Sequence, residues 1–406
     1  MTRFPASADV YKGQVRAGTL SRSSGFVSFR YADDYLDDPI APAVATSLPR
    51  SQLEYHSASA GAVPPFFAGL LPEGRRLSAL RRSIKASADD ELSLLVSVGA
   101  DTIGDVRIVP SGVRPHTHAP SAVDVDDWST QSFDDLFMRL TGQRLAFSRS
   151  GVAGVQVKAS ARMITMPVAA AHDRFILKLE PPEYPSLVEN EFAMLRAAKL
   201  SGIGSANAHL VHDRDGAVGL LVERFDRLPT RNGDRDEVRL VAQEDSCQVL
   251  GLYPADKYNI DTAQVIMGLA AQTGAPVVAA HALLRQFAFA FVAANGDAHA
   301  KNFSIFCPDG EWKVTPAYDI PTSYPYGDHS MALDIGNKRD QRIGRADLVA
   351  LGGVVGVKPR AVDAICDELI ETSPQWRDLV REIPFDERTT HKLLKALDYR
   401  LARIAR

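Results

Sequence analysis

The segment Asn295-Gly-Asp-Ala-His-Ala-Lys-Asn302 holds an aspartate and an asparagine five residues apart, directly after an apolar helix-like stretch. Such a pair suits phosphoryl transfer. A carboxylate, here Asp297, can take the proton of an attacking hydroxyl, while an amide oxygen, here that of Asn302, helps hold Mg²⁺ on nucleotide phosphates. Asp and Asn are also common in loops for a plainer reason, because their side chains bond nearby backbone groups. The surroundings must therefore carry the argument. Beyond the strand-like Trp312-Lys-Val-Thr315, the segment Ala317-Tyr-Asp-Ile320 supplies a second carboxylate, Asp319. Mg²⁺ takes hard oxygen ligands and keeps several waters, so one Asp, one Asn amide and nucleotide phosphates complete a site without a histidine or cysteine cluster.

The elements that must position this chemistry lie upstream. Arg174-Phe-Ile-Leu-Lys-Leu-Glu180 reads as a strand with one cation in an apolar run. Lys178 is placed there to reach the α- and β-phosphates, although an isolated lysine also lays its stem along a strand with the ammonium in water. Residues 186–200 carry Val188, Phe192 and Leu195 at i, i+4 and i+7, an amphipathic helix. Glu191 beside that stripe can pair with Lys178, and Glu189 serves equally well as a solvated charge. Ser148-Arg-Ser-Gly-Val-Ala-Gly-Val-Gln-Val-Lys158 is neither a Walker motif nor Gly-x-Gly-x-x-Gly. Gly151 and Gly154 would still let backbone N–H groups approach phosphate, or form a plain turn. Leu220-Leu-Val-Glu-Arg-Phe-Asp-Arg227 runs from an apolar strand into a charged turn, which suits a hinge against an adenine edge. Glycine turn, strand lysine, helix glutamate, hinge, Asp-x4-Asn and metal aspartate follow the order found in kinases, and the order weighs more than any single motif.

Val152-Ala-Gly-Val-Gln-Val-Lys158, Val222-Glu-Arg-Phe-Asp-Arg227, Gln243-Glu-Asp-Ser-Cys-Gln248, Gly296-Asp-Ala-His-Ala-Lys-Asn-Phe-Ser304 and Pro316-Ala-Tyr-Asp319 resemble segments of the HipA family of serine/threonine kinase toxins. The likeness spans almost the whole chain. Phe66-Phe-Ala-Gly-Leu-Leu-Pro-Glu-Gly74 and Leu92-Ser-Leu-Leu-Val-Ser-Val-Gly-Ala-Asp-Thr-Ile-Gly-Asp105 resemble the region preceding the kinase core. The resemblance implies an α+β, two-lobed protein-kinase-like fold with an N-terminal α+β subdomain and a mostly helical C-terminal lobe. It implies ATP held by Val152, Ala153, Gly154, Val155 and Lys178, with Glu223 and Phe225 at the adenine hinge. It further implies Asp297 as base, Asn302 and Asp319 on Mg²⁺, and His299 and Lys301 in the ATP-binding catalytic loop. For His299 and Lys301 the alternative is loop packing and solvation. Family members phosphorylate protein serines, aminoacyl-tRNA synthetases among their substrates, and pair with a HipB-type helix-turn-helix antitoxin that binds operator DNA. One departure stands out. Where the family carries an autophosphorylated serine in its glycine-rich loop, the aligned positions here are Gly151 and Ala153, leaving Ser150 and Ser148 as the nearby acceptors.

Two other functions fit parts of the pattern. A small-molecule phosphotransferase of the aminoglycoside or choline kinase kind also uses Asp-x4-Asn followed by a metal Asp, and would leave protein unlabelled. A non-catalytic co-repressor would bind antitoxin and DNA with its kinase site idle, yet Lys178, Asp297, Asn302 and Asp319 show no lesion of that sort.

At 406 residues the chain is long enough for two or three subdomains, and a net charge of −4 with 24% charged residues does not advertise autonomous nucleic-acid binding. Cys247, Cys307 and Cys366 are too scattered for a zinc site or a disulfide framework, consistent with a reducing cytoplasm. The longest apolar run, Phe287 to Ala294, is far below the ~20 residues that cross a bilayer, so no membrane partner is expected. Composition divides the chain into an N-terminal α+β unit over 1–108, a linker over 109–126, a nucleotide-binding lobe over 127–240 and a helical catalytic lobe over 241–406. His116 and His118 fall in the Pro- and Gly-rich linker and read as exposed. Asp261 is an expected helix N-cap, and Leu394, Leu397, Leu401 and Ile404 mark a C-terminal helix. The basic stretch Asn337-Lys-Arg-Asp-Gln-Arg-Ile-Gly-Arg345 suits either DNA phosphates or a solvated loop.

Overall fold

A computed structural model describes residues 5–84, 90–115, 127–141, 163–170, 173–232 and 235–406. The glycine turn with Ser148, Ser150, Val152, Ala153, Gly154 and Val155, and the two linker histidines, lie outside the described residues. The fold is α+β. A first antiparallel sheet contains β1 (Ser7–Lys12), β2 (Val15–Ser23), β3 (Phe26–Tyr31), β4 (Glu54–His56) and β5 (Val106–Pro110) in the order β4-β3-β2-β1-β5. Period-2 alternation buries Val27, Phe29 and Tyr31 of β3 while Phe26, Ser28 and Arg30 face away. Ser24 and Gly25, both at positive φ (51° and 85°), close the two-residue turn between β2 and β3, the backbone that matches the twist of a tight hairpin. Short helices Pro65–Gly69 and Glu91–Val98 cover this sheet with Phe66, Phe67, Leu92 and Leu95, giving it a core of its own.

The second sheet has β6 (Ile164–Ala170), β7 (Asp173–Leu179), β8 (Ala208–His212) and β9 (Val218–Glu223) in the order β6-β7-β9-β8, again antiparallel. Alternation decides what each face does. Ile164, Met166 and Val168 of β6 pack with Phe175, Leu177 and Leu179 of β7 and Leu221 of β9 against Phe133, Leu136 and Phe137 of the helix Phe133–Thr141. The opposite face carries Thr165 and Pro167, registered with Lys178 and Ile176, and roofs a cavity. A hairpin of β10 (Arg227–Asn232) and β11 (Arg235–Leu240) follows, then a small sheet in which β12 (Ala242–Asp245) pairs with β13 (Ser304–Cys307) and β13 with β14 (Lys313–Val314).

The largest core is helical. Pro276–Val292 starts with Pro at its first turn, where the missing N–H has no helical acceptor to lose. Leu283, Leu284, Phe287, Phe289 and Phe291 of this helix are buried, so it is apolar on several faces and runs through the middle of the lobe. Pro359–Glu382 and Glu387–Ile404 pack around it, and Trp376, with no exposed surface, meets Phe289 edge-on at 6.3 Å. Asp261 caps Thr262–Ala270 through a reciprocal capping box with Gln264. Leu397, Leu401 and Ile404 of the last helix are buried as the spacing predicts, with Leu394 partly buried beside them. No helix among the described residues is long and apolar enough to cross a membrane.

Candidate active site

Lys178 leaves β7 on the face that roofs the cavity, and there it meets two carboxylates. Its ammonium donates to Glu191 Oε1 at 2.6 Å and Oε2 at 2.9 Å, and to Asp319 Oδ1 at 2.8 Å. Glu191 comes from the helix Leu187–Leu200 and is completely buried, so the helix glutamate is paired with the strand lysine. Burial opposes the charge on Lys178, but Asp319 and Glu191 outweigh it and hold the ammonium above its ordinary range. Burial pushes Glu191 up to about 6 against the pull of Lys178. Asp319 ends below its usual value because Lys178 overcomes the cost of burial. Asp319 also sits in the left-handed region, at φ 54°, a conformation that costs a non-glycine residue on the order of 1–3 kcal/mol and that the surrounding packing must enforce.

The Asp-x4-Asn loop is built at the end of the buried helix. Ala294, at φ 54°, turns the chain out of it, and the Asn295 N–H returns to the Ala290 carbonyl. Gly296 has no room for a side chain, since a Cβ would stand 2.6 Å from both Asp328 Oδ2 and Ser323 Oγ. Asn295 Oδ1 accepts from the Asp297 N–H, and the Gly296 N–H donates to Ser323 Oγ. Tyr258 Oη donates to Asp297 Oδ1 at 2.8 Å. The Asn302 amide nitrogen donates to the carbonyls of Asp297 and Asp319, at 2.9 and 3.4 Å. That orientation leaves its oxygen as the group available to a cation. His299 is buried rather than solvated, with Nδ1 lacking a partner among the described residues. Burial, reinforced by Lys257, pulls its imidazole down to about 3, so it is neutral near pH 7. Lys301 donates to Asp245 at 2.8 Å and to the Gly69 carbonyl at 3.2 Å. Asp245 is in turn the N-cap of the short helix Ser246–Val249.

At the expected hinge, Glu223 is exposed and accepts from Asn207, while the Glu223 and Arg224 N–H groups bond the Asn207 and Arg174 carbonyls. The Phe225 N–H has no backbone partner among the described residues. The Phe225 ring packs between Phe306 and Tyr318, at 5.8 Å from each.

Lys178, Glu223, Phe225, Asp297, His299, Lys301, Asn302 and Asp319 all line one cavity of about 310 Å³, close to the lower end of ordinary ligand sites. Residues that sequence reasoning missed line it too. Lys257 comes from a turn before the capped helix, where the next residue, Tyr258, reaches Asp297, and Glu73, Asp101 and Thr102 come from the first unit. Glu73 Oε2 lies 2.5 Å from Lys257 Nζ and Oε1 3.5 Å from Lys301 Nζ. The only sequence signal for Glu73 was its place in the Leu71-Pro-Glu-Gly74 motif, where a lone carboxylate follows an apolar run. Among the described residues, no group of three or more His, Cys, Asp or Glu could hold a metal without help. The cations of the basic stretch are paired with carboxylates, Lys338 with Asp347, Arg339 with Asp334, Arg342 with Asp340 and Arg345 with Asp363 and Asp367.

Residues 8–109 match the HipA N-terminal domain and residues 150–377 the HipA-like C-terminal domain. The chain is 30% identical to "Putative kinase Y4mE" of Sinorhizobium fredii, over 77% of each protein. It is 28% identical to the serine/threonine-protein kinase toxin HipA of Shewanella oneidensis, over 80% of this chain and 77% of that one. A solved structure of Shewanella oneidensis HipA with HipB and operator DNA superimposes with a TM-score of 0.71 at 24% identity, covering 98% of this chain and 96% of that one, and so shares the fold. With both domain models matched in order and the second spanning more than half its length, the chain belongs to the HipA family.

Proposed function

We propose that this protein is an ATP- and Mg²⁺-dependent serine/threonine protein kinase of the toxin type. The supporting observation is the convergence of the strand lysine, the Asp-x4-Asn pair, the second aspartate and the hinge on a single cavity. Asp297, held by Tyr258 and by its own loop, takes the proton from the acceptor hydroxyl as that oxygen bonds the γ-phosphorus and the β–γ bridge breaks. Lys178, fixed between Glu191 and Asp319, reaches the nucleotide phosphates. The Asn302 amide oxygen and the Asp319 carboxylate fit Mg²⁺, because both are hard oxygen donors and the Asn302 nitrogen is already committed to the loop. Bound there, the ion would neutralise charge on the phosphates.

The acceptor is a protein serine, an aminoacyl-tRNA synthetase being the family's known kind, together with Ser150 or Ser148 of the chain itself. By analogy with the Shewanella oneidensis complex, a HipB-like antitoxin is the partner, and operator DNA is contacted mainly through it. The pairing of the cations in residues 338–345 with carboxylates of this chain is in keeping with that indirect contact. The test is incubation of wild type and Asp297→Ala with labelled ATP, Mg²⁺ and a cell lysate, followed by peptide mapping. Label on Ser148, Ser150 or a synthetase that the variant lacks is the expected result. Label confined to a small molecule would make the protein a metabolite kinase, and folded wild type that transfers nothing would make it a co-repressor.

A further inference from the structure

Two cationic centres of the cavity, Lys178 and the pair Lys257 and Lys301, are neutralised differently. Lys178 is already matched by two carboxylates, Glu191 and Asp319. Lys257 and Lys301 are tied together, since the Ala300 N–H donates to the Lys257 carbonyl, and both ammonium-bearing side chains are about nine-tenths buried. Asp245 balances one of these two charges. The other is balanced by Glu73, which belongs to a different unit and is 39% exposed at the cavity edge.

Docking of the first unit does not need that contact. Asp101 pairs with Arg224 and Arg227, Thr46 bonds Glu244, and Gln248 bonds the Phe66 carbonyl. The lysine pair also sits beside the base, because Tyr258, next after Lys257, donates to Asp297. We propose that Lys257 and Lys301 form a second anion site that takes the terminal phosphate of a nucleoside triphosphate, and that Glu73 is a built-in carboxylate competing for it. Burial that opposes ionisation of Glu73 is outweighed by Lys301 and Lys257, which bring its carboxyl down to about 2, so the competitor is charged throughout the neutral range. The inference rests on the kinase reading for the identity of the ligand and on the lysine geometry for the site.

The experiment is calorimetric titration of the full chain, as wild type, Glu73→Gln, Lys257→Met and the double variant, with MgATP, MgADP and inorganic pyrophosphate. Glu73→Gln is expected to tighten MgATP about tenfold, the effect of removing one partly screened charge near the ligand, and MgADP by less than about twofold. Lys257→Met weakens MgATP, and the double variant shows no gain. Matching thermal midpoints establish that the variants are folded, and Lys257→Met carries the test if Glu73→Gln is not. MgATP binding indifferent to Glu73→Gln, or an equal gain for MgADP, overturns the anion site and leaves the kinase reading intact. Pyrophosphate binding that tightens in Glu73→Gln while no nucleotide binds keeps the site and overturns the kinase reading. No binding of any probe by any variant overturns both.

Discussion

Two buried ion clusters flank the cavity, built from the same kinds of residue and finished in different ways. In the first, Arg224 and Arg227 face Asp101 and Asp226 with N–O distances of 2.8–3.0 Å, and the remaining donors reach the carbonyls of Thr102 and Gly104. Two cations meet two anions, the Gly104 N–H closes on Asp226, and both arginines and Asp226 are almost completely buried. In the second, one cation, Lys178, stands between two carboxylates, and Asp319 is 26% exposed towards the cavity in a left-handed backbone. A cluster in which both arginines are bonded to both aspartates joins two units. A cluster left with a surplus carboxylate facing a cavity is the one that suits the proposed cation.

Breaking the first cluster has the larger effect. Arg224→Met leaves Asp101 and Asp226 sharing Arg227, and removal of one partner from such a buried network is expected to cost about 3–5 kcal/mol of stability in urea unfolding. Asp319→Asn should do the reverse. Transfer of labelled phosphate should fall at least about 100-fold, the loss of ~2.7 kcal/mol typical of one electrostatic group at a reacting phosphate. Stability should hold or rise, because Lys178 keeps Glu191 and asparagine tolerates the left-handed backbone better. If Asp319→Asn destabilised the fold as much as Arg224→Met, the two clusters would not differ in kind.

The contrast also explains what could be seen in the sequence. Spacing within one element is local information. Asp297 and Asn302, the strand bearing Lys178, the cap at Asp261 and the stripe of Leu397, Leu401 and Ile404 in the last helix were all legible for that reason. The Lys178–Glu191 pair was legible as an option, because helix and strand are close in sequence. Asp101 on Arg224 and Glu73 on Lys257 join residues more than a hundred positions apart. No periodicity in either segment encodes such a meeting, since each side reads as an ordinary charge in a turn. The burial of His299 was hidden for a related reason, as the walls that exclude water from it come from Tyr258 and from the first unit.

A third contact between the units sharpens the comparison because it is not ionic by preference. Glu244 is 2% exposed and accepts from the Thr46 N–H at 2.8 Å and Thr46 Oγ1 at 2.7 Å. Burial raises its carboxyl from the ordinary 4.5 to about 7, against those two bonds. Because the folded value lies above the unfolded one, the folded state holds the extra proton between about pH 4.5 and 7. The contribution is therefore full below pH 4.5 and is lost as pH rises through 7. Glu244→Gln keeps the shape without the proton, so its stability advantage over wild type should widen on going from pH 5 to pH 8, by on the order of 1–3 kcal/mol. Parallel thermal melts at the two pH values check this, and a constant gap would mean that Glu244 is ionised in the fold like Asp226.

The smallest effect tests where the second cluster ends. Tyr258 touches the proposed base, with Oη on Asp297 Oδ1 and its ring edge-on to His299 at 5.2 Å. Burial and then Asp297 hold its phenol above the ordinary range, so it remains a hydrogen-bond donor at any assay pH near neutral. Tyr258→Phe keeps the ring packing and deletes one bond worth about 1 kcal/mol, so kcat should fall roughly fivefold with KM for ATP unchanged. That split would mark Tyr258 as a residue that positions Asp297. A rise in KM with kcat preserved would instead assign it to the neighbouring Lys257 and Lys301 pair, and the boundary between base and phosphate site would have to be drawn on the other side of Tyr258.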